Sequence, residues 1–481
     1  MDSANPHQRL LDLLDMAPLS AIHCRLWLLA SGGTLLNGVS LMLLGIAIPL
    51  LVPAFTLSLS MQGLLGAALV FGSVPGALLG GRAADRYGRK PLFLADMLLI
   101  ALGALLAATA KSFAQLLYAQ LLIGFGIGID FPVSGAYVAE LMPMAKRARL
   151  MVALKGMQAL GMLLGIAMGL LLLEAWPATG AWRALLGTLG VLALLLFALR
   201  LLLVESPRWL MLRGQNLAAA HIIASLVPSA VFASLRHGVA AGHVPHVLSL
   251  AAPEHAYSMR SLFQHAYLRR TLLVCLPWCL MDVATYGVGL FTPVILAALS
   301  LNEAGASLIG RDVAASRGSA LVDMALLLGA AASLYFVPWL GAIRAQFAGF
   351  IGMAAGMTLM LLPLLGIVSE HALLWTLAGF SLYNLAMSAG PNATTFALPP
   401  ELFPTQLRGS ACGLAASVAK LGACAGVLLL PSLRADGGIA SVLGLMFAVS
   451  LAGAALTVCL GGHGIPLRPL EAHQQAEGEP S

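Results

Sequence analysis

The sequence predicts an all-α polytopic membrane protein of twelve transmembrane helices in two parallel six-helix halves. Three observations carry this. Of 481 residues, 60% are hydrophobic and only 10% charged, where soluble domains carry about 25% charged residues; the mean hydropathy is +0.92. At about 20 residues per span plus connections, the length admits roughly twelve helices. Finally, a motif recurs: Glu140 precedes Arg147 in A-E-L-M-P-M-A-K-R, and Glu401 precedes Arg408 at the same interval in P-E-L-F-P-T-Q-L-R. Both copies close an even-numbered span, so the duplicated halves run parallel rather than inverted.

Taken in order, no charged residue occurs between Arg25 and Arg82. The run breaks near Phe55 to Gln62, which makes two spans joined by a short loop. The polar stretch G-R-A-A-D-R-Y-G-R-K, Gly81 to Lys90, follows. Apolar segments near 91–110, 113–138, 150–173 and 184–204 complete six spans. A polar, loosely amphipathic segment of residues 205–269 forms a cytoplasmic central loop. Six further runs start near Thr271, Ser319, Ala345, Leu373, Gly409 and Ile439. The expected organisation is therefore an N-terminal half (1–204), the central loop (205–269), a C-terminal half (270–462) and a polar tail (463–481).

Charge sets orientation. The net charge of +6 does not require a nucleic-acid partner, because Lys and Arg of a membrane protein collect in cytoplasmic loops. Arg82, Arg86, Arg89 and Lys90 fall in the second-to-third connection, and Lys146, Arg147 and Arg149 in the fourth-to-fifth. Both termini are thus expected in the cytoplasm, in a plasma or bacterial inner membrane. No cleavable signal peptide is expected, since Met1 to Ser20 carries acids and lacks a basic start. The six cysteines lie in or beside apolar runs without zinc-type spacing. No cofactor, metal or catalytic arrangement is expected, and the chain is expected to be a monomer and not an enzyme.

Polar residues inside the spans converge in depth. In L-P-W-C-L-M-D-V-A-T-Y, Trp278, Asp282 and Tyr286 recur every fourth residue and share one helical face. At 1.5 Å of rise per residue, Asp130 and Asn392 lie roughly 14 Å from the cytoplasmic ends of their spans. Gln158, Asp282 and Lys420 lie about as deep, near the roughly 15 Å midplane. Intramembrane ionisable residues usually face a bundle interior or a water-filled cavity. The set suits a small polar, anionic solute; the competing reading is a group of interhelical hydrogen bonds that merely packs the bundle. At the cytoplasmic face, Gly81 to Lys90 lacks the strand and spacing of a phosphate loop. Asp85 is expected to cap or pair across helix ends. Glu140–Arg147 and Glu401–Arg408, with Glu205 and Arg208, are expected to form ion pairs that latch one conformation.

The chain resembles the major facilitator superfamily across its length. The residues that carry the likeness are Gly81, Asp85, Arg86, Gly88 and Arg89 of the basic loop, G-F-G-I-G in the fourth span, E-L-M-P-M-A-K-R, and E-S-P-R-W-L after the sixth. G-I-D-F-P-V-S (Gly128 to Ser134), K-G-M-Q-A-L-G (Lys155 to Gly161) and G-P-N-A-T-T-F-A-L-P-P-E-L-F-P-T (Gly390 to Thr405) are similar to the phosphate:proton symporter group and its sugar-porter relatives. The resemblance implies a secondary active transporter, a proton-coupled symporter working by alternating access. It places Gln158, Trp278, Asp282, Tyr286 and Asn392 at the substrate, with Lys420 beside them. Asp130 is left as the proton carrier, because Asn37 and Ser40 stand where acids are usual in the first span. Phe131 stands where the phosphate group has a tyrosine, and Gln120 where an arginine is usual. A facilitator or exchanger of a sugar or organic metabolite is the alternative, and a transport-inactive sensor a remote one.

Overall fold

The structure is a computed structural model and describes residues 13–227, 258–288, 308–368 and 370–462. The chain forms α1 (Ala21–Phe55), α2 (Leu59–Tyr87), α3 (Lys90–Ala108), α4 (Phe113–Leu141), α5 (Met144–Ala175) and α6 (Trp182–Arg200). Two short helices follow, α7 (Pro207–Leu212) and α8 (Asn216–Leu226). Then come α9 (His265–Val288), α10 (Leu308–Leu340), α11 (Ala342–Leu364), α12 (Ala372–Ala389), α13 (Pro391–Leu402) and α14 (Thr405–Gly461).

Long charge-free runs leave helix as the open solution, because in hydrocarbon every backbone N–H and C=O must be satisfied within the segment. Starts are marked by local chemistry. Ser58, Ser112 and Ser206 accept from Met61 N, Gln115 N and Trp209 N, as N-cap hydroxyls do. Among the described residues, nine stretches are long and apolar enough to span a membrane. They are α1 to α6, α11, and two parts of α14, which breaks at Gly438 with φ 70°. α9 carries charge, and α12 and α13 are split at Gly390–Pro391, where φ and ψ are −119° and −98°. The molecule is an all-α polytopic membrane protein, with an outer belt of exposed Leu, Val and Phe side chains such as Leu105, Leu171 and Val191.

Within the N-terminal group α2 packs on α4, α1 on α5, and α3 on α4 and α6; within the C-terminal group α9 packs on α14, and α11 on α12 and α14. Small residues set these distances, as is usual between membrane helices. A Cβ at Gly38 would lie 2.1 Å from the Gln158 carbonyl oxygen, so α1 and α5 touch backbone to backbone. The two groups meet along α2–α14 and α5–α10. A Cβ on Gly81 would sit 2.2 Å from the Gly409 carbonyl oxygen across that first seam.

Candidate functional site

At mid-depth, α9 and α14 bring Asp282 and Lys420 together. The ammonium donates to the carboxylate at 3.0 Å and both side chains are buried. Lys420 Nζ also lies 5.3 Å from the centroid of the Phe131 ring on α4. Lys155 Nζ of α5 lies 5.2 Å from the same ring centroid. Lys155 donates to Gln158 Oε1 at 2.6 Å, one helical turn on. Phe396 packs edge-on against both Phe131 and Trp278, and the buried Trp278 Nε1 has no hydrogen-bond partner among the described residues. A small cavity, with room for about one water molecule, is lined by Lys155, Ser333, Ser388 and Asn392. Thus Gln158, Trp278, Asp282, Asn392 and Lys420 gather where the two groups of helices meet. Tyr286 belongs to α9, and its side chain lies outside the described residues.

Asp130 sits elsewhere. Its carboxylate accepts from Arg200 of α6 at 2.6 Å, and the same guanidinium reaches Asp96 of α3 at 2.9 and 3.1 Å. Arg200 also bonds the Leu29, Ala30 and Phe93 carbonyls and lies over the Phe93 ring. The cluster holds two carboxylates and one guanidinium within the N-terminal group. Lys155, Asp96 and Arg200 escaped the sequence reading, though each is an ionisable residue within or at the end of an apolar run, which is the available signal.

The basic-loop face, cytoplasmic by the positive-inside rule, is closed by charged side chains. Asp85 accepts from Gly409 N, Ser410 N and Ser410 Oγ at 3.0, 2.7 and 2.8 Å, capping the first turns of α14 from α2. Glu140 Oε1 accepts from Arg89 and Arg408, both at 2.8 Å. The partners differ from the spacing-based expectation. Arg147 pairs not with Glu140 but with Asp15, which also accepts from Arg208 at 2.8 Å. Glu401 forms no ion pair among the described residues. The cause is helical geometry: residues seven apart lie two turns, about 10 Å, along one helix, and here a break separates them. Neighbouring helices supply nearer partners. Glu205 accepts from Arg89 N and Lys90 N at 2.9 and 3.1 Å, and so caps α3. Gly88, at φ +98°, has no room for a Cβ, which would lie 2.4 Å from Glu205 Oε2. The Arg86 carbonyl accepts from Arg213 at 2.6 Å, and its guanidinium lies over Tyr87. Outside the spans, burial pushes the Asp15 carboxyl up, but Arg208 and Arg147 outweigh it and hold the group below its ordinary value.

A polytopic bundle with buried charges between two helix groups, closed at one face by separable ion pairs, has the architecture of a membrane transporter. The chain belongs to the sugar (and other) transporter family, whose model matches residues 34–475; it is a transporter family and not one of enzymes. It is 30% identical to the inner membrane metabolite transport protein YgcS of Escherichia coli K12, over 92% of each chain. It is 27% identical to a repressible high-affinity phosphate permease of Neurospora crassa, over 76% of this chain and 69% of the permease. Its fold is that of the major facilitator superfamily proton:xylose symporter XylE bound to 6-bromo-6-deoxy-D-glucose, at a TM-score of 0.76 and 21% identity, covering 94% and 98% of the two chains.

Proposed function

We propose that this protein is a proton-coupled carrier of a small organic anion. It would work by alternating access between two six-helix halves, residues 1–204 and 270–462, in a bacterial inner membrane. The observation that carries this reading is the buried Asp282–Lys420 pair beside Phe131. Breaking such a pair costs about 3–5 kcal/mol, and an apolar pair would be as stable or more so. A pair that an anion can open, by competing for the ammonium, gives it a purpose. The rings of Phe131, Phe396 and Trp278 offer a carbon skeleton a surface to pack on, which a bare oxyanion cannot use. The relatives that transport metabolites and xylose support an organic solute; the phosphate permease supports the anion. Asp130 is proposed as the proton carrier. It shares the one Arg200 guanidinium with Asp96, two carboxyl groups to one cation.

The test is uptake into proteoliposomes of a panel of organic acids, neutral sugars and phosphate, with and without a protonophore. Accumulation of an organic acid that collapses with protonophore is the expected result. A second reading, a facilitator or exchanger of a neutral sugar, is favoured by Asn37 and Ser40, both buried in α1 where neither can carry a proton. Sugar flux indifferent to protonophore would establish it.

A further inference from the structure

Of the two ammoniums near the Phe131 ring, Lys420 is matched by Asp282 and Lys155 is not. Lys155 is 6% exposed. Its Nζ donates to a neutral amide oxygen, and no carboxylate pairs with it among the described residues. An ionisable residue buried at mid-membrane is costly and marks a functional site by default. A ring face at 5.2 Å and one neutral amide oxygen leave this ammonium without a counter-ion of its own.

The cavity at Lys155 supplies the missing half of an explanation, although it is closed here to about one water, so that a larger ligand enters only when the seam parts. It runs from α5 across the seam to Ser333 on α10, Ser388 on α12 and Asn392 at the start of α13. Two hydroxyls and an amide, which both donate and accept, face a region with one uncompensated positive charge. We infer that Lys155 is an anion-binding subsite that takes the carboxylate of a hydroxylated monocarboxylic acid, with Ser333, Ser388 and Asn392 bonding its hydroxyl groups. This deepens the organic-anion reading and rests on it. A monoanion matches the single surplus charge. Phosphate in its dianionic form would leave a negative charge buried at the site. Because Lys155 and the three polar residues lie on opposite sides of the seam, a bound acid joins the two groups of helices.

The experiment is thermal unfolding in detergent of the full chain and of Lys155→Gln and Lys155→Met. Gluconate, galacturonate, lactate, glucose and inorganic phosphate are the probes. Both variants should melt no lower than the parent without additive, because they shed a buried charge. At least one carboxylate should stabilise the parent, and its apparent affinity should fall tenfold or more in both variants. Equal carboxylate affinity in parent and variants overturns the Lys155 subsite but leaves the organic-anion reading standing. Stabilisation of the parent by glucose or phosphate alone, or by no probe, overturns both. Lower melting of both variants without additive shows the ammonium to be structural and also overturns the subsite.

Discussion

Glu140 on α4 and Arg408 on α14 stand 268 positions apart in the chain, yet meet at 2.8 Å with neither side chain exposed. Arg89 shares the same carboxylate oxygen, so one acid serves two arginines, one on its own side of the seam and one across it. Glu140→Gln should leave both guanidiniums undercompensated and favour opening of this face. Buried Cys412 on α14 then reports the change. Its alkylation, followed by mass spectrometry of its peptide, should quicken by about two- to a hundredfold, the span of a 0.5–3 kcal/mol coupling. Unchanged labelling of Cys412 would mean the clasp does not restrain opening.

Asp15 makes a second clasp, with Arg147 and Arg208. Its carboxyl is held below the ordinary value of about 3.9 by those two arginines. A depressed acid contributes stability that is fully present above its unfolded value and is lost as pH falls through its folded one. Asp15→Asn should therefore lower the melting temperature at pH 7, and the gap from the parent should close only below about pH 4. A gap as wide at pH 3 as at pH 7 would place its origin outside this ionisation.

Removing one partner of the Asp282–Lys420 pair strands the other in a low-dielectric interior. Lys420→Ala should cost about 3–5 kcal/mol of stability, read by chemical or thermal unfolding, and abolish uptake. Lys420→Arg should recover little transport, because a planar fork replaces a compact ammonium. Combining Lys420→Ala with Asp282→Asn should restore much of the stability and none of the uptake. A double variant as unstable as the single one would show that the pair's charges are not what the site balances.

Asp130→Asn should abolish uphill accumulation while sparing solute exchange between liposome and medium. Arg200 would still keep Asp96 as its partner at 2.9 Å, so the helix packing should hold. Accumulation by this variant under a proton gradient would remove Asp130 from the coupling role.

Of the twelve spans expected, nine are found among the described residues; they were legible because a 20-residue apolar run is a property of the chain alone. Asp282 and Lys420 meet as their equal depths suggested. Depth does not give azimuth, however, and that is why Asp130, at the same level, joins Arg200 and Asp96 instead of the Asp282–Lys420 group. Arg200 closes α6 and gave no sign that its guanidinium reaches back to α3 and α4. The partners of Glu140 and Arg147 were equally hidden. They come from Arg89, Arg408 and Asp15, which lie near in space and far in sequence, while the regular Glu-to-Arg interval does not mark a contact.

The seam between α2 and α14 has a kinetic consequence. Gly81 meets Gly409, and Gly413 meets the Ala77 carbonyl, backbone against backbone, with Ser417 Oγ donating to the Val74 carbonyl at 2.6 Å. Separating such surfaces uncovers few methyl and methylene groups. Newly wetted apolar area is what makes an activation enthalpy drift with temperature, at about 0.45 cal/mol/K per Å². The barrier to parting this seam should therefore carry little heat capacity. If that step limits turnover, a plot of the logarithm of rate against reciprocal temperature should run nearly straight.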